Sequence, residues 1–361
     1  MIKQIQILSL LFALLFVGCN KDDDTGPTTD NQAKITSLDC GGTTINGVLS
    51  SNTAEIIQNS TIANKEILIN YSGGNGGTYS TINISSTGVT GLTATATSGN
   101  ILNGNGTLKL NLNGTPTSYG DANFNISFGG INCSFVIKVQ QQTIASTMTQ
   151  NYFSSSSNGN LGYWLYTPQN PTANMPLIIY LHGGSFRGTD LSLLVGGSLP
   201  KFLYDSSVTN VPAYILMPQC PTGKVWEQIG GSIIEMIDNI VASKSINTYK
   251  ISLTGHSLGG TGTWKLGATY SSKFSCIAPL SGSVVVSTAS QYTGLPVYAF
   301  VGSDDTIVDP TSSITIVTSI NSLGGNAQIK NYNGATHFDV PDLTYKDNSV
   351  NILNWMISKT K

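Results

Sequence analysis

Residues 250–262 read KISLTGHSLGGTG, and this stretch carries the clearest fold signal in the chain. An apolar run leads into Gly255 and a helix-compatible run follows Gly259, which predicts a strand, a sharp turn and a helix. The turn fits the pattern G-x-S-x-G with Ser257 at its centre. Glycines two positions before and after the serine let neighbouring backbones pass closely, and the serine then projects from the carboxyl edge of a sheet. We predict that Ser257 is a nucleophile.

The sequence around this turn predicts alternating strands and helices. Continuous apolar runs are typical of strands that are buried on both faces of a parallel sheet. Such runs occupy residues 176–181, 213–217, 251–254 and 297–301. Apolar residues at helical spacing lie between and after them, at residues 232–241, 312–323 and 348–358. The fold class predicted for residues 145–361 is therefore α/β, a mostly parallel sheet flanked by helices.

Three histidines occur in the chain, and one of them is placed to act as a general base for Ser257. In folds of this kind the acid and then the histidine follow the serine along the chain. His256 lies next to the serine and cannot fold back onto its hydroxyl, and His182 precedes it. His337 comes after the last predicted strand, at residues 327–332. Elimination and position therefore both select His337.

An acid that orients this histidine is expected just past the strand at residues 297–301. Residues 302–308 read GSDDTIV and offer two candidates, Asp304 and Asp305. Such a carboxylate fixes the tautomer of the imidazole and stabilises its cation, without taking the proton itself. The residues alone leave both candidates open.

A tetrahedral oxyanion needs backbone N–H donors. One donor is expected from Leu258, directly after the nucleophile. Another is expected from the loop at residues 182–188, HGGSFRG, in which Gly184 and Ser185 are the candidates. Arg187 is the only arginine in the chain, and it either ties this loop through hydrogen bonds or binds a substrate carboxylate.

Residues 150–361 resemble the α/β-hydrolase family. Beyond the G-x-S-x-G turn, the resemblance rests on MPQCP at residues 217–221 and on GTGTW at residues 260–264. Within that family the chain is similar to short secreted esterases and predicted peptidases related to poly(3-hydroxybutyrate) depolymerases and feruloyl esterases. Their turn usually has methionine where this chain has Leu258.

That resemblance implies a serine carboxylic-ester hydrolase with an open site and no cofactor. The family pattern G-x-x-D-x-x-V places the catalytic aspartate at Asp305, and the pattern H-G-x places the second oxyanion donor at Gly184. Trp226 is expected to bind substrate as an aromatic platform in the cleft, with packing in the core as the alternative.

Residues 34–141 follow a different pattern. Apolar and polar residues alternate in short runs between glycine- and asparagine-rich turns, as in TLKLNL at residues 107–112. Such runs predict an antiparallel β-sandwich. Residues 71–92 are similar to the immunoglobulin-like repeats of surface proteins from Gram-negative gliding bacteria. A spacer or a carbohydrate-binding module is the expected role of this domain.

The chain begins with a pattern typical of an exported lipoprotein. A basic residue, Lys3, precedes an apolar run too short to span a bilayer, and the run ends in FVGC at residues 16–19, which is similar to a bacterial lipobox. We predict a signal peptide at residues 1–19, lipid on Cys19 and a polar tether at residues 20–33. An ordinary signal peptide with an incidental cysteine is the alternative.

The tether suggests where the anchored protein resides. Its aspartates at residues 22–24 are similar to the tract that directs some lipoproteins to the outer face of the outer membrane. We expect the protein on the extracellular side of that membrane, with its periplasmic face or full secretion as second choice.

The remaining cysteines are Cys40 and Cys133 in the first domain and Cys220 and Cys276 in the second. An oxidising compartment permits disulfides, and pairing of Cys40 with Cys133 is consistent with their placement, but sequence alone does not give connectivity. Zinc and other metals are not expected, because neither C-x-x-C nor histidine-rich spacing occurs.

Charged residues make up only 10% of the 361 residues, and the net charge is −2. A surface that binds nucleic acid needs clustered lysine and arginine, so nucleic acid is excluded as a partner. Hydrophobic residues make up 40% of the chain, enough to bury a core and to exclude charge-rich disorder. We expect a monomer whose partners are an ester substrate and the membrane.

These features predict a secreted, membrane-anchored serine hydrolase that cleaves carboxylic esters, including polysaccharide-linked or polymeric ones, through a Ser-His-Asp triad and an acyl-enzyme. A serine peptidase of the prolyl-oligopeptidase type is one alternative. Such enzymes usually carry a β-propeller, which a sandwich of about 110 residues cannot build. A surface adhesin or glycan-binding protein with an inactive hydrolase domain is the alternative from another class.

Overall fold

A computed structural model of the protein describes residues 31–361. They divide into two compact units, the first ending at Gln142 and the second spanning Thr143–Lys361. The predicted signal peptide, the lipidated Cys19 and most of the tether lie outside the described residues and stay predictions. No helix within the described part of the chain is long and apolar enough to cross a membrane.

The first unit is built from strands joined by short turns, with a single-turn helix at Ser50–Asn52. Its strands are β1 (Ser37–Leu38), β2 (Thr44–Ile45), β3 (Val48–Leu49), β4 (Ile62–Asn75), β5 (Thr78–Tyr79), β6 (Ile82–Ser85), β7 (Thr87–Gly88), β8 (Leu92–Ala96), β9 (Gly99–Asn100), β10 (Asn103–Gly114), β11 (Gly120–Phe128) and β12 (Ile131–Val139).

These strands form a seven-stranded sheet in the order β3-β2-β4-β10-β8-β6, with β1 also paired to β4, a three-stranded sheet β12-β11-β7 and the small pair β5-β9. Period-two alternation explains the core, because every second side chain of a strand points to the same face. In β10, Leu108, Leu110 and Leu112 are buried while Lys109 and Asn111 are exposed. A disulfide joins Cys40 to Cys133 across a Cα–Cα distance of 6.2 Å.

The second unit combines strands with helices. Its strands are β13 (Thr147–Ser155), β14 (Gly159–Thr167), β15 (Leu177–Leu181), β16 (Tyr214–Pro218), β17 (Ile251–His256), β18 (Cys276–Leu280), β19 (Val297–Gly302) and β20 (Ala327–Tyr332). Its α-helices are α1 (Ser198–Tyr204), α2 (Gly230–Lys244), α3 (Leu258–Thr269), α4 (Thr311–Ser322), α5 (Val340–Tyr345) and α6 (Ile352–Ser358).

The eight strands form one sheet in the order β13-β14-β16-β15-β17-β18-β19-β20. The pairings from β16 to β20 are parallel, whereas β13 and β14 are antiparallel to their neighbours. Alternate residues of β15 enter different cores: Leu177 and Ile179 pack with helices α2, α3 and α4, and Ile178 packs with α1, α5 and α6. The sheet is thus buried on both faces, which explains its continuously apolar strands.

The parallel part of this sheet positions a possible site, because the carboxyl ends of parallel strands meet at one edge. The loop at residues 182–188 leaves β15 at this edge, and Ser257 follows β17 directly. Asp305 follows β19 and His337 follows β20. Residues that are far apart in sequence are thereby brought to the same edge.

Candidate active site

Ser257 occupies a strained turn between β17 and α3. Its backbone dihedrals are φ 60° and ψ −119°, a region that non-glycine residues rarely adopt. A Cβ on Gly259 would collide with the carbonyl group of Leu181, and a Cβ on Gly255 would lie 2.5 Å from the same oxygen. The glycines are therefore required by the close approach of β15, and the turn places Ser257 at the N-terminus of α3, where partial positive charge accumulates.

Asp305 and His337 form a buried pair beside this turn. Nδ1 of His337 lies 2.7 Å from Oδ2 of Asp305, and both side chains are almost fully buried. The other carboxylate oxygen accepts hydrogen bonds from the N–H groups of Ile307 and Val308, each at 2.9 Å. Burial by itself would raise the pKa of Asp305, but these two N–H groups and His337 hold that pKa below its usual value. An ionised Asp305 keeps the proton of His337 on Nδ1, which leaves Nε2 free to accept another proton.

Ser257, His337 and Gly184 line one cavity of about 370 Å³. Its walls combine three aromatic side chains with three charged ones: Phe186, Phe202, Phe338, Lys201, Asp342 and Lys346. Each lysine is paired with a carboxylate, Lys346 with Asp342 at 2.8 Å and Lys201 with Asp205 at 2.7 Å. The lining of the cavity therefore combines aromatic rings with charged side chains whose charges are balanced in ion pairs.

His182 fixes the orientation of the peptide between Gly183 and Gly184. Nε2 of His182 accepts a hydrogen bond from the N–H of Cys220 at 2.9 Å, so the proton of the ring is on Nδ1, which donates to the carbonyl oxygen of Gly183 at 2.7 Å. In a trans peptide the N–H points away from the C=O. Because the carbonyl of Gly183 is held by His182, the N–H of Gly184 faces the opposite way and is available as an oxyanion donor.

Leu258 supplies a second N–H of the same kind. It is the first residue of α3, and the first N–H groups of a helix have no carbonyl partner within that helix. Arg187 braces the loop on the other side, where its Nε donates to the carbonyl oxygen of Gly184 at 3.1 Å and its guanidinium also reaches the carbonyl oxygen of Lys224 at 3.3 Å. Of the two roles considered for Arg187, these contacts match the one in which it holds the loop in place through hydrogen bonds, rather than the one in which it binds a substrate carboxylate.

Trp226 is buried and does not line the cavity, so the predicted aromatic platform is wrong. Its ring packs on Gly262 of α3, where a Cβ would lie 2.7 Å from the indole. Its Nε1–H donates to the carbonyl oxygen of His182 at 3.1 Å. Trp226 therefore supports the loop at residues 182–188 from the core.

Phe338 is an aromatic residue at the cavity that sequence reasoning missed. It follows His337 directly, its ring centroid is 5.3 Å from that of His337, and it is 70% exposed. Phe338 is therefore not part of the core, and its exposed ring is consistent with contact with a substrate. Its place next to His337, the predicted general base, is the signal that could have identified it.

The two free cysteines of the second unit, Cys220 and Cys276, are buried. Burial raises the pKa of Cys220 to about 11 and that of Cys276 to about 12, so both stay thiols, which are poor nucleophiles. Among residues 31–361, no three His, Cys, Asp or Glu side chains come together in a way that could hold a metal ion.

The burial of two histidines predicts a pH-dependent stability. Burial is the largest cause that lowers the pKa of His182 and that of His256 from 6.5 to about 4. Between pH 6.5 and 4 the unfolded chain therefore binds protons that the folded protein does not bind. The free energy of unfolding should fall as the pH falls through this window, by up to about 1.4 kcal/mol per pH unit for each histidine. Urea unfolding between pH 7 and 5.5, where carboxylates stay ionised, measures this slope.

The variant His182→Gln isolates the contribution of one of these side chains. Glutamine can still accept the hydrogen bond from the N–H of Cys220, but it does not titrate. The slope of the free energy of unfolding against pH should be smaller than that of the wild type by up to about 1.4 kcal/mol per pH unit, which is the contribution of one proton. Equal slopes for the two proteins would show that His182 is not kept neutral by folding.

Comparison with known proteins supports the fold. Residues 223–344 match the sequence profile of a family described as Phospholipase/Carboxylesterase. Among solved structures, the chain is similar to a thermostable esterase. The alignment covers 85% of this chain and 98% of the esterase chain, at 19% sequence identity and a TM-score of 0.53. The aligned part of this chain has more residues than the second unit, so the alignment also includes residues of the first unit. The second unit has the α/β-hydrolase fold.

Two curated relatives match part of the chain. Poly(3-hydroxyalkanoate) depolymerase C of Paucimonas lemoignei is 28% identical over 158 residues, which are 38% of this chain and 34% of the depolymerase. The bifunctional acetylxylan esterase/xylanase XynS20E of Neocallimastix patriciarum is 25% identical over 150 residues, 40% of this chain and 21% of that protein. The chain thus covers at most about a third of the length of these relatives.

Proposed function

We propose that the protein is a serine hydrolase that cleaves carboxylic esters with Ser257 as nucleophile, His337 as general base and Asp305 as the acid that orients it. The observation that carries this proposal is the buried 2.7 Å pair of His337 and Asp305, in a cavity that His337 shares with the strained Ser257. Both curated relatives bear names of enzymes that act on esters, which favours esters over peptides.

The reaction begins when the hydroxyl oxygen of Ser257 attacks the ester carbonyl carbon. Nε2 of His337 takes the hydroxyl proton, and the carbonyl oxygen becomes an oxyanion that the N–H groups of Gly184 and Leu258 bind. The imidazolium of His337 then gives its proton to the leaving alcohol, and an acyl-enzyme on Ser257 remains. Water then attacks the carbonyl carbon of the acyl-enzyme while His337 takes a proton from it. His337 returns this proton to the oxygen of Ser257 as the carboxylic acid leaves.

The substrates proposed for this site are polysaccharide-linked or polymeric esters. Support comes from the names of the two relatives, one a depolymerase of a polyester and the other an esterase of acetylated xylan. The open rim of the cavity, where Phe338 is 70% exposed, is consistent with a substrate that extends beyond the acyl group.

The proposal also includes the remainder of the chain. We propose that residues 34–141 are an immunoglobulin-like spacer and that lipid on Cys19 anchors the protein to the extracellular side of the outer membrane. The run FVGC at residues 16–19 and the aspartates that follow it support the anchor. The antiparallel sheets of the first unit, which bury one shared apolar core, support the spacer.

The test of the activity combines a covalent probe with a substrate panel. A fluorophosphonate reacts with an activated serine whatever its natural substrate, so we expect it to label the protein at Ser257. The purified protein should also hydrolyse short aryl esters and at least one of acetylated xylan, feruloylated glycan and poly(3-hydroxybutyrate). Failure to label and to hydrolyse would favour an inactive domain, whereas turnover of peptides alone would favour a peptidase.

A further inference from the structure

His256, the residue before Ser257, contacts the backbone of His337. It is the last residue of β17, and its side chain is buried. Its Nε2 lies 2.9 Å from the carbonyl oxygen of His337, and the centroids of the two imidazole rings are 4.7 Å apart. The contact therefore joins the strand that carries the nucleophile to the loop that carries the base.

The protonation of His256 follows from this contact. A carbonyl oxygen only accepts, so Nε2 of His256 carries a hydrogen and donates it. Burial, with a smaller contribution from the charge of His337, lowers the pKa of His256 to about 4, so the ring is neutral at neutral pH. A second cation at this distance would oppose the positive charge that His337 gains when it takes the proton of Ser257. The neutral His256 donates a hydrogen bond without adding that repulsion.

A general base needs more than one fixed point to stay aligned with its nucleophile. Oδ2 of Asp305 fixes Nδ1 of His337, but the ring can still swing about this bond when its backbone moves. His337 lies in the loop between β20 and α5, and the hydrogen bond from His256 fixes the backbone of that loop. Because His256 directly precedes Ser257 in the chain, this hydrogen bond also fixes the position of His337 relative to Ser257.

We propose that His256 is a positioning residue that keeps His337 aligned with the hydroxyl of Ser257. This inference rests on the proposed function, because it gives His256 a task in the same reaction. A misplacement of about 1 Å can cost about 100-fold in rate without a change in the chemistry. Loss of the hydrogen bond should therefore lower kcat and leave KM nearly unchanged.

Two polar substitutions separate the hydrogen bond from simple burial. In His256→Gln the side-chain amide can place an N–H near the position of Nε2, whereas in His256→Asn the amide is about one bond shorter and falls short. We expect His256→Asn to lower kcat by about 10–100-fold with KM within about twofold of wild type, and His256→Gln to recover most of the loss. A merely structural role would lower Tm without lowering kcat selectively, so the split between kcat and KM, read beside Tm, is the measurement that identifies positioning.

The variant Ser252→Ala is a matched control in the same strand. It removes a buried hydrogen bond from Oγ of Ser252 to the carbonyl oxygen of Met356, at 3.2 Å, at the end of β17 away from the site. We expect a lower Tm and an unchanged kcat. If His256→Asn does not fold by circular dichroism, His256→Phe replaces it, because phenylalanine keeps a ring in the core and lacks the N–H.

Labelling by a fluorophosphonate distinguishes the failure of this inference from the failure of the proposed function. A wild-type protein that neither labels nor hydrolyses any ester of the panel overturns both. A wild-type protein that is active, together with folded His256→Asn or His256→Phe that labels and turns over at the wild-type rate, overturns the role of His256 alone. Slow labelling of the variant, restored in His256→Gln, supports that role.

Discussion

Substitution of Ser257 by alanine should lower kcat by about 10⁴–10⁶-fold on any ester that the wild type hydrolyses, because no hydroxyl remains to form the acyl-enzyme. The residual rate would come from substrate binding and from the N–H groups of Gly184 and Leu258, which still stabilise an oxyanion formed by attack of water. Steady-state kinetics on a short aryl ester measures the loss, and the fluorophosphonate should no longer label the protein.

Ser283→Ala is the control for this substitution. Ser283 is an exposed serine whose backbone N–H donates to Oγ1 of Thr261 in α3, at 2.9 Å, so it lies near the same helix but its own hydroxyl is not required there. We expect wild-type turnover and labelling from Ser283→Ala. Turnover by Ser257→Ala at the wild-type rate would refute the mechanism, since the reaction would then not pass through this serine.

Local signals in the sequence predict the turn at Ser257 well, because strand, turn and helix are adjacent there. The glycines on both sides of the serine are required by the approach of Leu181, and their spacing is visible in the sequence. The places of Asp305 and His337 depend on a general rule, that the carboxyl ends of parallel strands share one edge. Such a rule gives the neighbourhood of a residue but not its contacts.

Contacts across the fold account for what the sequence could not predict. Residues 302–308 leave Asp304 and Asp305 open, and the structure turns Asp305 toward His337 while Asp304 pairs with the hydroxyl of Ser303 at 2.7 Å. The burial of Trp226 depends on the missing side chain of Gly262, which lies on another element. No local pattern encodes the burial of Trp226, and only the resemblance to the family pattern G-x-x-D-x-x-V selects Asp305 over Asp304 before the structure is known.

The start of the last helix shows a similar limit. Apolar spacing predicts a helix over residues 348–358, whereas α6 begins at Ile352. Asn351 adopts a left-handed conformation with φ 45°, which asparagine tolerates better than most residues and which a helix interior does not allow. Periodicity detects the apolar face of a helix, but its first turn is set by the backbone of the residues before it.

Substitution of Asp305 by asparagine should lower kcat by about 10⁴-fold while the protein stays folded, because it forces the wrong tautomer on His337. One oxygen of residue 305 must accept from the N–H groups of Ile307 and Val308, so the amide of asparagine would turn its NH₂ toward Nδ1 of His337. Nδ1 would then have to accept, and the ring proton would move to Nε2. An imidazole that is protonated on Nε2 cannot take the proton of Ser257. Steady-state kinetics, with Tm as a check on folding, measures the effect.

Asp304→Asn makes the same chemical change one residue away and so separates tautomer control from the loss of a negative charge. Asp304 accepts from the hydroxyl of Ser303 and its N–H bonds to the carbonyl oxygen of Ala335 at 3.0 Å, and asparagine can keep both contacts. The two variants have equal net charge, so electrostatic attraction of substrate changes similarly in both. A large loss of kcat in Asp305→Asn alone would follow from the hydrogen bond to His337. Comparable losses in both variants would instead mean that the charge of this loop, and not the tautomer of the base, limits the reaction.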